Sequence, residues 1–455
     1  VTVHEENPVA EQVIAPGPSG SQLRRFDRDA IGFVTGLEQE YGGVVRISLG
    51  PFVVHLVSDP AAVKHILQDN AKNYVRGKFY GNFDLFFGRG MLTTDGAEWR
   101  ERRQVSQPFF HKPRLVEKSP AITECASDLV DQWEAAADRG DPVDVTDGVM
   151  TLAMGVFGKM FLGVDLRPHS AELQPATLFA MQAVLRSGSV SQLLPRWVPT
   201  RYRRTSTAHR ATLDRVLDDV VERHVRGEVQ EHTVVSALLA ARDEHGAPWP
   251  REAVLAELKT LFLAGHETTG CSIVWTLHAI SQHPEVRRGL EAELATVLGG
   301  RTPTVEDLPA LDHLRHVVAE SLRLYPAVWS YPRDVVADDT IGGYHVPAGS
   351  SVLLSSYATQ HSRSLWENPE AFDPRRFCPA HQDGDRPKYA YYPFGGGARK
   401  CIGFEAALME VQLVVATVVQ RVRMDLTPGR PTGIWPKASL RPVPNVLMTA
   451  TRVSS

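Results

Sequence analysis

Cysteine is scarce in this chain: Cys125, Cys271, Cys378 and Cys401 are the only four in 455 residues. They lie far apart and form no C-x-x-C pair, so neither a disulfide framework nor a structural zinc site is favoured. Reduced thiols in a cytoplasmic setting are the simpler expectation. Net charge is close to zero, at −4, which argues against a nucleic-acid partner. The N-terminus lacks a basic and then apolar leader, so no signal peptide is expected. No apolar run approaches the ~18 residues that span a bilayer, so no membrane anchor is expected either. Repeats, low-complexity tracts and linkers are missing too. What remains has ordinary hydrophobic content, 43%, and is long enough to bury a large core and enclose a cofactor.

Helical periodicity predominates. Asp29 to Tyr41 reads as a helix, and Asp59-Pro60 as an N-cap with proline in the first turn. Glu98–Phe109 carries Trp99, Arg100, Arg102 and Arg103, and further helices are expected from about Pro113 to Glu134, at Val145–Phe161, at Pro175–Leu185 with Pro175 in the first turn, and at Asp312–Leu324. A break is expected at Pro195–Pro199. The longest helical segment runs from Pro250 to Pro284, enough to cross a whole domain. Strand signals cluster at Val44–Val57, a β-hairpin, between Val335 and Leu354, and at Leu440–Val453, a second hairpin. Tyr74 to Met91 has no clean period and reads as a long irregular loop. The fold class expected is mainly α with small β-sheets (α+β). Residues 1–25 are expected to form a loosely ordered lead and 26–455 a single domain.

One stretch organises the chemistry: Phe394-Gly395-Gly396-Gly397-Ala398-Arg399-Lys400-Cys401-Ile402-Gly403. Cys401 ends a glycine-rich, cationic loop just before a helix (Glu405 to about Val422). The helix dipole, free N–H groups, Arg399 and Lys400 all favour thiolate over thiol. The glycines let backbone approach something bulky and flat. A lone stabilised thiolate under a flat surface suggests an axial ligand to haem iron.

Other stretches supply candidates. Ala264-Gly265-His266-Glu267-Thr268-Thr269 lies mid-helix, where Gly265 costs about 1 kcal/mol relative to alanine. A large ligand pressed against that face would explain it, and so would a mildly bent core helix. Glu267 and Thr268 place an acid beside a hydroxyl, a pair able to relay protons. His266-Glu267 matches part of a zinc motif, but Gly270 removes the second ligand. Glu320 and Arg323 share a helix face among apolar neighbours and read as a partly buried ion pair. Phe372 to Phe377 is a loop carrying Arg375 and Arg376. Trp99 and Arg103, at i and i+4, can present an indole N–H and a guanidinium to one anion, and Arg333 is a further candidate cation.

Together these stretches resemble the cytochrome P450 family of haem-thiolate monooxygenases. F-x-x-G-x-R-x-C-x-G is met at Phe394, Gly397, Arg399, Cys401 and Gly403. E-x-x-R is met at Glu320 and Arg323, with the later loop arginine at Arg376. A-G-x-[DE]-T-T is met from Ala264 to Thr269, and W-x-x-x-R at Trp99 and Arg103. The resemblance covers the chain from about residue 30 to the end and implies the P450 fold, with the long helix crossing over haem b. It implies Cys401 as the proximal thiolate and metal ligand, tuned by N–H groups near Gly403. It implies Thr268, with Glu267 beside it, as the group that handles dioxygen and protons. Glu320, Arg323 and Arg376 would form a buried cluster fixing the cysteine loop. Trp99, Arg103, Arg333 and Arg399 would meet the haem propionates, with Phe394 and Ala264 also against the cofactor.

No flavin or iron–sulfur module follows Cys401, so electrons from NAD(P)H are expected through a separate ferredoxin and ferredoxin reductase. Arg100, Arg102, Arg375 and Lys400 would suit an acidic ferredoxin. The resemblance places the substrate pocket beneath Tyr74–Met91, beside the long helix and the stretch after Pro326. Candidate lining residues are Phe79, Phe83, Phe86, Phe87, Leu261, Phe262, Val328, Trp329 and Tyr331, some of which could equally be core. Such a lining favours a bulky apolar substrate. A terpenoid or other secondary metabolite is the narrower expectation, with fatty-acid, steroid or polyketide hydroxylation as the alternative. Coupling, rearrangement or sensing by a haem-thiolate protein stays open. A monomer is expected.

Overall fold

The computed structural model describes residues 13–184, 200–381 and 386–453. At its centre lies the helix Arg251–Gln282, the long helix, whose 32 residues make a rod of about 48 Å. Pro250, in an extended conformation, precedes its first turn, and Pro284 opens the next helix, Pro284–Leu298. Buried residues occur on every face of the long helix, the pattern of a core helix. Helices Val145–Phe157, Asp312–Leu324 and Phe404–Arg421 pack around it.

The main sheet joins distant parts of the chain. Its strands are β1 (Val44–Leu49), β2 (Phe52–Val57), β3 (Tyr74–Val75), β5 (Tyr331–Val335) and β8 (Ser351–Leu354), in the order β1-β2-β8-β5-β3. β1 and β2 form the expected hairpin, and β2 pairs with β8 in parallel, Val54 opposite Ser351. A second sheet sets β12 (Leu447–Arg452) between β4 (Pro142–Asp144) and β9 (Val422–Leu426). Two ribbons complete the strands: β6 (Asp339–Ile341) with β7 (Tyr344–Val346), and β10 (Gly433–Pro436) with β11 (Leu440–Val443).

Several expectations need correction. Tyr74–Met91 is not irregular throughout: it holds β3 and the helix Gly81–Phe87. Phe83 and Phe87, at i and i+4, meet on one side of that helix with tilted rings, centroids 6.0 Å apart. Pro175 sits inside the helix Ser170–Val184, not in its first turn, because the buried face already begins at Leu173. Leu440–Val453 is not a hairpin, since β11 pairs with β10 while β12 pairs with β4 and β9. The loose lead expected over 1–25 is tied down from Val13 onward. The carbonyls of Val13 and Pro16 accept from His345 and Arg46, both at 2.8 Å, and Ala15 is buried. One helical stretch, Val145–Leu162, is apolar enough by length and composition to cross a bilayer, with mean hydropathy 1.3, but 78% of it is buried within the protein. The break expected at Pro195–Pro199 and the helix end at Leu185 lie outside the described residues.

Candidate active site: the Cys401 loop and the long helix

The loop before Cys401 is closed by the protein itself. The Cys401 N–H donates to the Phe394 carbonyl at 3.0 Å. Gly397, at φ +63°, passes so close to the His65–Asp69 turn that a Cβ would lie 1.8 Å from the Leu67 carbonyl oxygen. Packing within the protein therefore requires this glycine, whatever lies against the loop. Cys401 sits just before Gly403, the N-cap of Phe404–Arg421. The Gly403 N–H, Arg103 and Lys400 all favour the thiolate, yet burial outweighs them and pushes the thiol up. The expected pull toward thiolate is present at Lys400 and at the backbone N–H of Gly403, but burial opposes it more strongly. Cys401 nevertheless has accessible surface. A thiolate held at such a position calls for a cation beyond those the chain supplies.

Away from its two exposed ends, the long helix opens at one place. Ala264 is exposed and Thr268 half-buried, one turn apart, while Leu261, Phe262, Leu263, His266 and Glu267 are buried. Thr268 Oγ1 donates to the Ala264 carbonyl at 2.7 Å, as its helical position suggested. Gly265 faces elsewhere: a Cβ there would meet the Phe157 ring at 2.6 Å. Its cost is offset by close packing on Val145–Phe157, not by a ligand. Glu267 also turns away from the opening. Arg441 Nη1 donates to both carboxylate oxygens at 3.3 Å, and Ser439 Oγ donates to Oε1 at 3.1 Å. The acid and hydroxyl are neighbours in sequence but about 100° apart around the helix, and the structure does not bring them together.

The ion cluster forms as expected. Glu320 and Arg323 are fully buried and paired in a fork, at 2.7 and 2.8 Å. Arg323 also donates to the carbonyls of Gln360 at 2.7 Å and Ala371 at 3.1 Å, and Arg376 Nε lies 3.3 Å from Glu320. The link to the cysteine loop is indirect. Gln360 Oε1 accepts from the Tyr392 N–H at 3.1 Å, two residues before Phe394.

A second cluster is cationic. Arg399 Nη2 donates to the Thr94 carbonyl at 2.5 Å and pairs with Asp95, leaving Nη1 buried without a partner. Its guanidinium lies 4.5 Å from the Trp99 ring centroid, and that of Arg103 5.7 Å from it. Arg103 donates to the Lys400 carbonyl at 3.1 Å. Arg333 is buried and donates to the Pro332 carbonyl at 2.7 Å and to Tyr80 Oη at 3.4 Å. Burial, reinforced by the charge of Arg76, pushes both Arg333 and Arg399 down to about 10. Guanidiniums so placed demand an anion. Sequence reasoning missed two members. Arg76 bonds Tyr80 Oη, lies over its ring at 4.5 Å, and has a buried Nε without a partner. Tyr80 is held below its ordinary range: burial pushes it up, but Arg76 and Arg333 together outweigh that. Neither belongs to a spaced motif, so only the fold could bring them here.

The other candidates divide. Phe86 and Phe87 are buried, Phe83 is half-buried, and a ring series runs from Tyr80 through Phe83, Phe87 and Phe86 to Phe179. Leu261 and Phe262 are buried and Val328 half-buried. The side chain of Phe79 lies outside the described residues. Trp329 belongs to the core: it is 1% exposed, packs with Phe26, and donates to the Lys437 carbonyl at 2.7 Å. Tyr331 packs on the cysteine loop, donating to the Pro393 carbonyl at 3.0 Å. Of the four cations suggested for a ferredoxin, Arg102 is buried between Glu98 and Glu257 and is withdrawn from the surface. Arg100 is exposed, Arg375 is exposed but held by Asp373, and Lys400 lies over the Phe404 ring.

The residues present fit a haem. Among the described residues no three His, Cys, Asp or Glu side chains converge as a metal cage. Cys401 thus stands as a lone ligand, which suits a metal whose other coordination comes from a macrocycle. The under-satisfied guanidiniums suit its carboxylates.

Comparison with known proteins agrees with this geometry. The family model described as Cytochrome P450 matches residues 20–448. Cyclooctat-9-en-7-ol 5-monooxygenase of Streptomyces melanosporofaciens is 31% identical over 395 residues, spanning 86% of this chain and 84% of that protein. Cyclooctatin synthase of the same organism is 30% identical over 444 residues, spanning 96% and 93%. The protein LUTEIN DEFICIENT 5, chloroplastic, of Arabidopsis thaliana is 31% identical over 418 residues, spanning 86% and 69%. In fold, the structure titled retinoic acid bound cyanobacterial CYP120A1 superposes with TM-score 0.86 at 24% identity, covering 97% of this chain and 100% of that one. The chain belongs to the cytochrome P450 family.

Proposed function

We propose that this P450 monooxygenase inserts one atom of O2 into a bulky hydrophobic substrate with a terpenoid or related secondary-metabolite skeleton. The observation that carries the reading is the opening at Ala264 and Thr268 in the middle of the long helix, in a protein where Cys401 is the accessible cysteine before a helix N-terminus. The apolar ring series from Tyr80 to Phe179 supports a hydrophobic substrate. Two relatives carry the names Cyclooctat-9-en-7-ol 5-monooxygenase and Cyclooctatin synthase, and these names favour the terpenoid class.

The haem iron, when bound, supplies the activation of dioxygen. The chain's own part is ligation, placement and proton handling. Cys401 is the thiolate ligand, with the Gly403 N–H tempering its charge. Trp99, Arg103, Arg333, Arg399 and Arg76 would hold the cofactor's carboxylates, and Phe394 and Ala264 would contact it. Glu320, Arg323 and Arg376 brace the segment that carries the cysteine loop. Thr268 holds a proton at Oγ1 beside the opening. Residues 26–455 act as one catalytic domain, a cytoplasmic monomer. Electrons originate in NAD(P)H and arrive through a separate ferredoxin and ferredoxin reductase, with Arg100 and Lys400 at the docking face.

The test is spectroscopic. The reduced, CO-bound protein should show the red-shifted thiolate band and lose it in Cys401→Ser; retention of the band would sink the ligand assignment. Titration with terpenoid, fatty-acid and steroid panels should shift the iron spin state most strongly with terpenoids, and a response confined to another panel would overturn the substrate class.

A further inference from the structure

The segment Phe87–Met91 passes very close to the long helix. A Cβ on Gly90 would lie 2.2 Å from Thr260 Oγ1, and one on Gly88, at φ +81°, 2.9 Å from the Ala256 Cβ. Between Ala256 and Thr260 on that helix sits Glu257, which is fully buried. Its Oε2 accepts from the Met91 N–H at 2.9 Å and from Arg102 Nη1 at 3.3 Å. Arg102, on the helix Gly96–Ser106, also donates to Glu98 at 3.2 Å, and its guanidinium lies 5.2 Å from the Trp249 ring centroid. Glu257 and Arg102 share one long contact, unlike the fork of Glu320 and Arg323, and Glu257 Oε1 and Arg102 Nε are left buried without partners. So loose a pair contributes little to stability by itself. What it does hold is the backbone at Met91. Phe87 shows what that backbone separates. Its ring belongs to the series with Phe83 and Phe86, and it also lines, with Gly88 and Arg102, a surface cleft of about 670 Å³. Glu257 and Ala264 are seven residues apart, so they share a face of the long helix about 10 Å apart along its axis.

We infer that Glu257 is a positioning residue for substrate selection: its bond to the Met91 N–H fixes Phe87–Met91 as a rigid wall, and the pocket admits apolar skeletons of one size range. Arg102 supplies the counter-charge, not the wall bond. The inference rests on the reading of the substrate pocket beneath Tyr74–Met91. A wall that cannot yield turns extra substrate volume into overlap, whereas a loose wall absorbs it.

Holoenzyme variants E257Q, E257L and E257L/R102M, with F83A beside them, separate selection from stability. Glutamine keeps an oxygen for Met91 but strands the Arg102 guanidinium. Leucine removes the wall bond and strands the guanidinium as well. The double variant removes the wall bond and leaves no buried charge at this pair. Unfolding midpoints measure stability. Spin-state titrations with geraniol, farnesol and geranylgeraniol, each longer by one isoprene unit, measure selection as the ratio of the weakest to the tightest Kd. E257Q should melt several degrees early yet keep the native ratio. E257L/R102M should melt close to native while its ratio falls several-fold, and this pair of variants decides the matter even where E257L does not fold. F83A should weaken binding of at least one alcohol several-fold. A native ratio in E257L/R102M, with F83A weakened, would overturn the role of Glu257 alone. A ratio that follows the midpoint, falling in E257Q and native in the double variant, would overturn it too, since Glu257 would then act only through stability. Native binding of all three alcohols by F83A would overturn the pocket assignment and the inference with it.

Discussion

Gly397 and the Leu67 carbonyl are in contact so close that no side chain fits between them. This contact joins the cysteine loop to the turn after β2, and the loop's course depends on it. Gly397→Ala should cost more than about 2 kcal/mol, through the clash and the left-handed φ together. Thermal unfolding and haem retention after purification measure it; a variant with native melting and full haem content would contradict the contact.

Gly265 makes the same kind of demand away from the opening. Gly265→Ala should destabilise by about 1–3 kcal/mol through overpacking on Phe157. Phe157→Leu should restore part of the loss in the double variant. If a ligand, not Phe157, required the glycine, no such rescue would be seen and substrate-induced spectra would change instead.

The Glu320–Arg323 fork is wholly buried. Glu320→Gln should cost about 3–5 kcal/mol, because a guanidinium would be left in the interior short of an anion. The loss should appear as low holoprotein yield and an earlier unfolding midpoint. A midpoint within a degree of the native value would show the cluster to be dispensable.

Arg76 offers a prediction that no motif suggested. Arg76→Ala removes one member of the guanidinium cluster around Tyr80, Arg333 and Arg399. Charge-assisted hydrogen bonds are worth about 1.5–3 kcal/mol, so haem transfer to an excess of apo-globin should accelerate by about tenfold or more. An unchanged transfer rate would place Arg76 outside the cofactor's reach.

Three buried histidines set a pH dependence. Burial pushes His55 and His278 down to about 4 and His361 to about 3. An unfolded histidine binds its proton near pH 6.5, so below that value the unfolded state holds more protons than the folded one. Stability should therefore be full above about pH 7 and fall as pH drops from 6.5 toward 4, by up to about 1.4 kcal/mol per pH unit for each group. Urea midpoints across this range read the slope, and His278→Asn should remove about one proton's share. A flat profile between pH 6.5 and 4.5 would contradict the burial of these rings.

How much of this was legible beforehand depended on whether the signal was local. The helix from Asp312 to Leu324, the cap at Asp59 and the β1–β2 hairpin follow from nearby residues and took the expected form. The spaced motifs around Cys401, Glu320 and Trp99 were legible because each is short. Side-chain direction was not. Glu267 faces Arg441 and Trp329 faces Lys437, both partners more than a hundred residues away. The hairpin expected at the C-terminus failed for the same reason: β11 and β12 take partners elsewhere, and alternation along a strand does not name its neighbour.

The parallel pairing of β2 with β8 has a consequence for biogenesis. Val54 cannot meet Ser351 until about 300 further residues have been made. Until then one edge of the β1–β2 hairpin has no neighbour. Such an edge is a template for wrong pairing, so the nascent chain is vulnerable through most of its synthesis. The Leu67 turn that meets Gly397 follows the same hairpin, and it too waits for a distant partner. The cofactor cradle therefore cannot close around Cys401 until Gly397 has been made, long after Leu67.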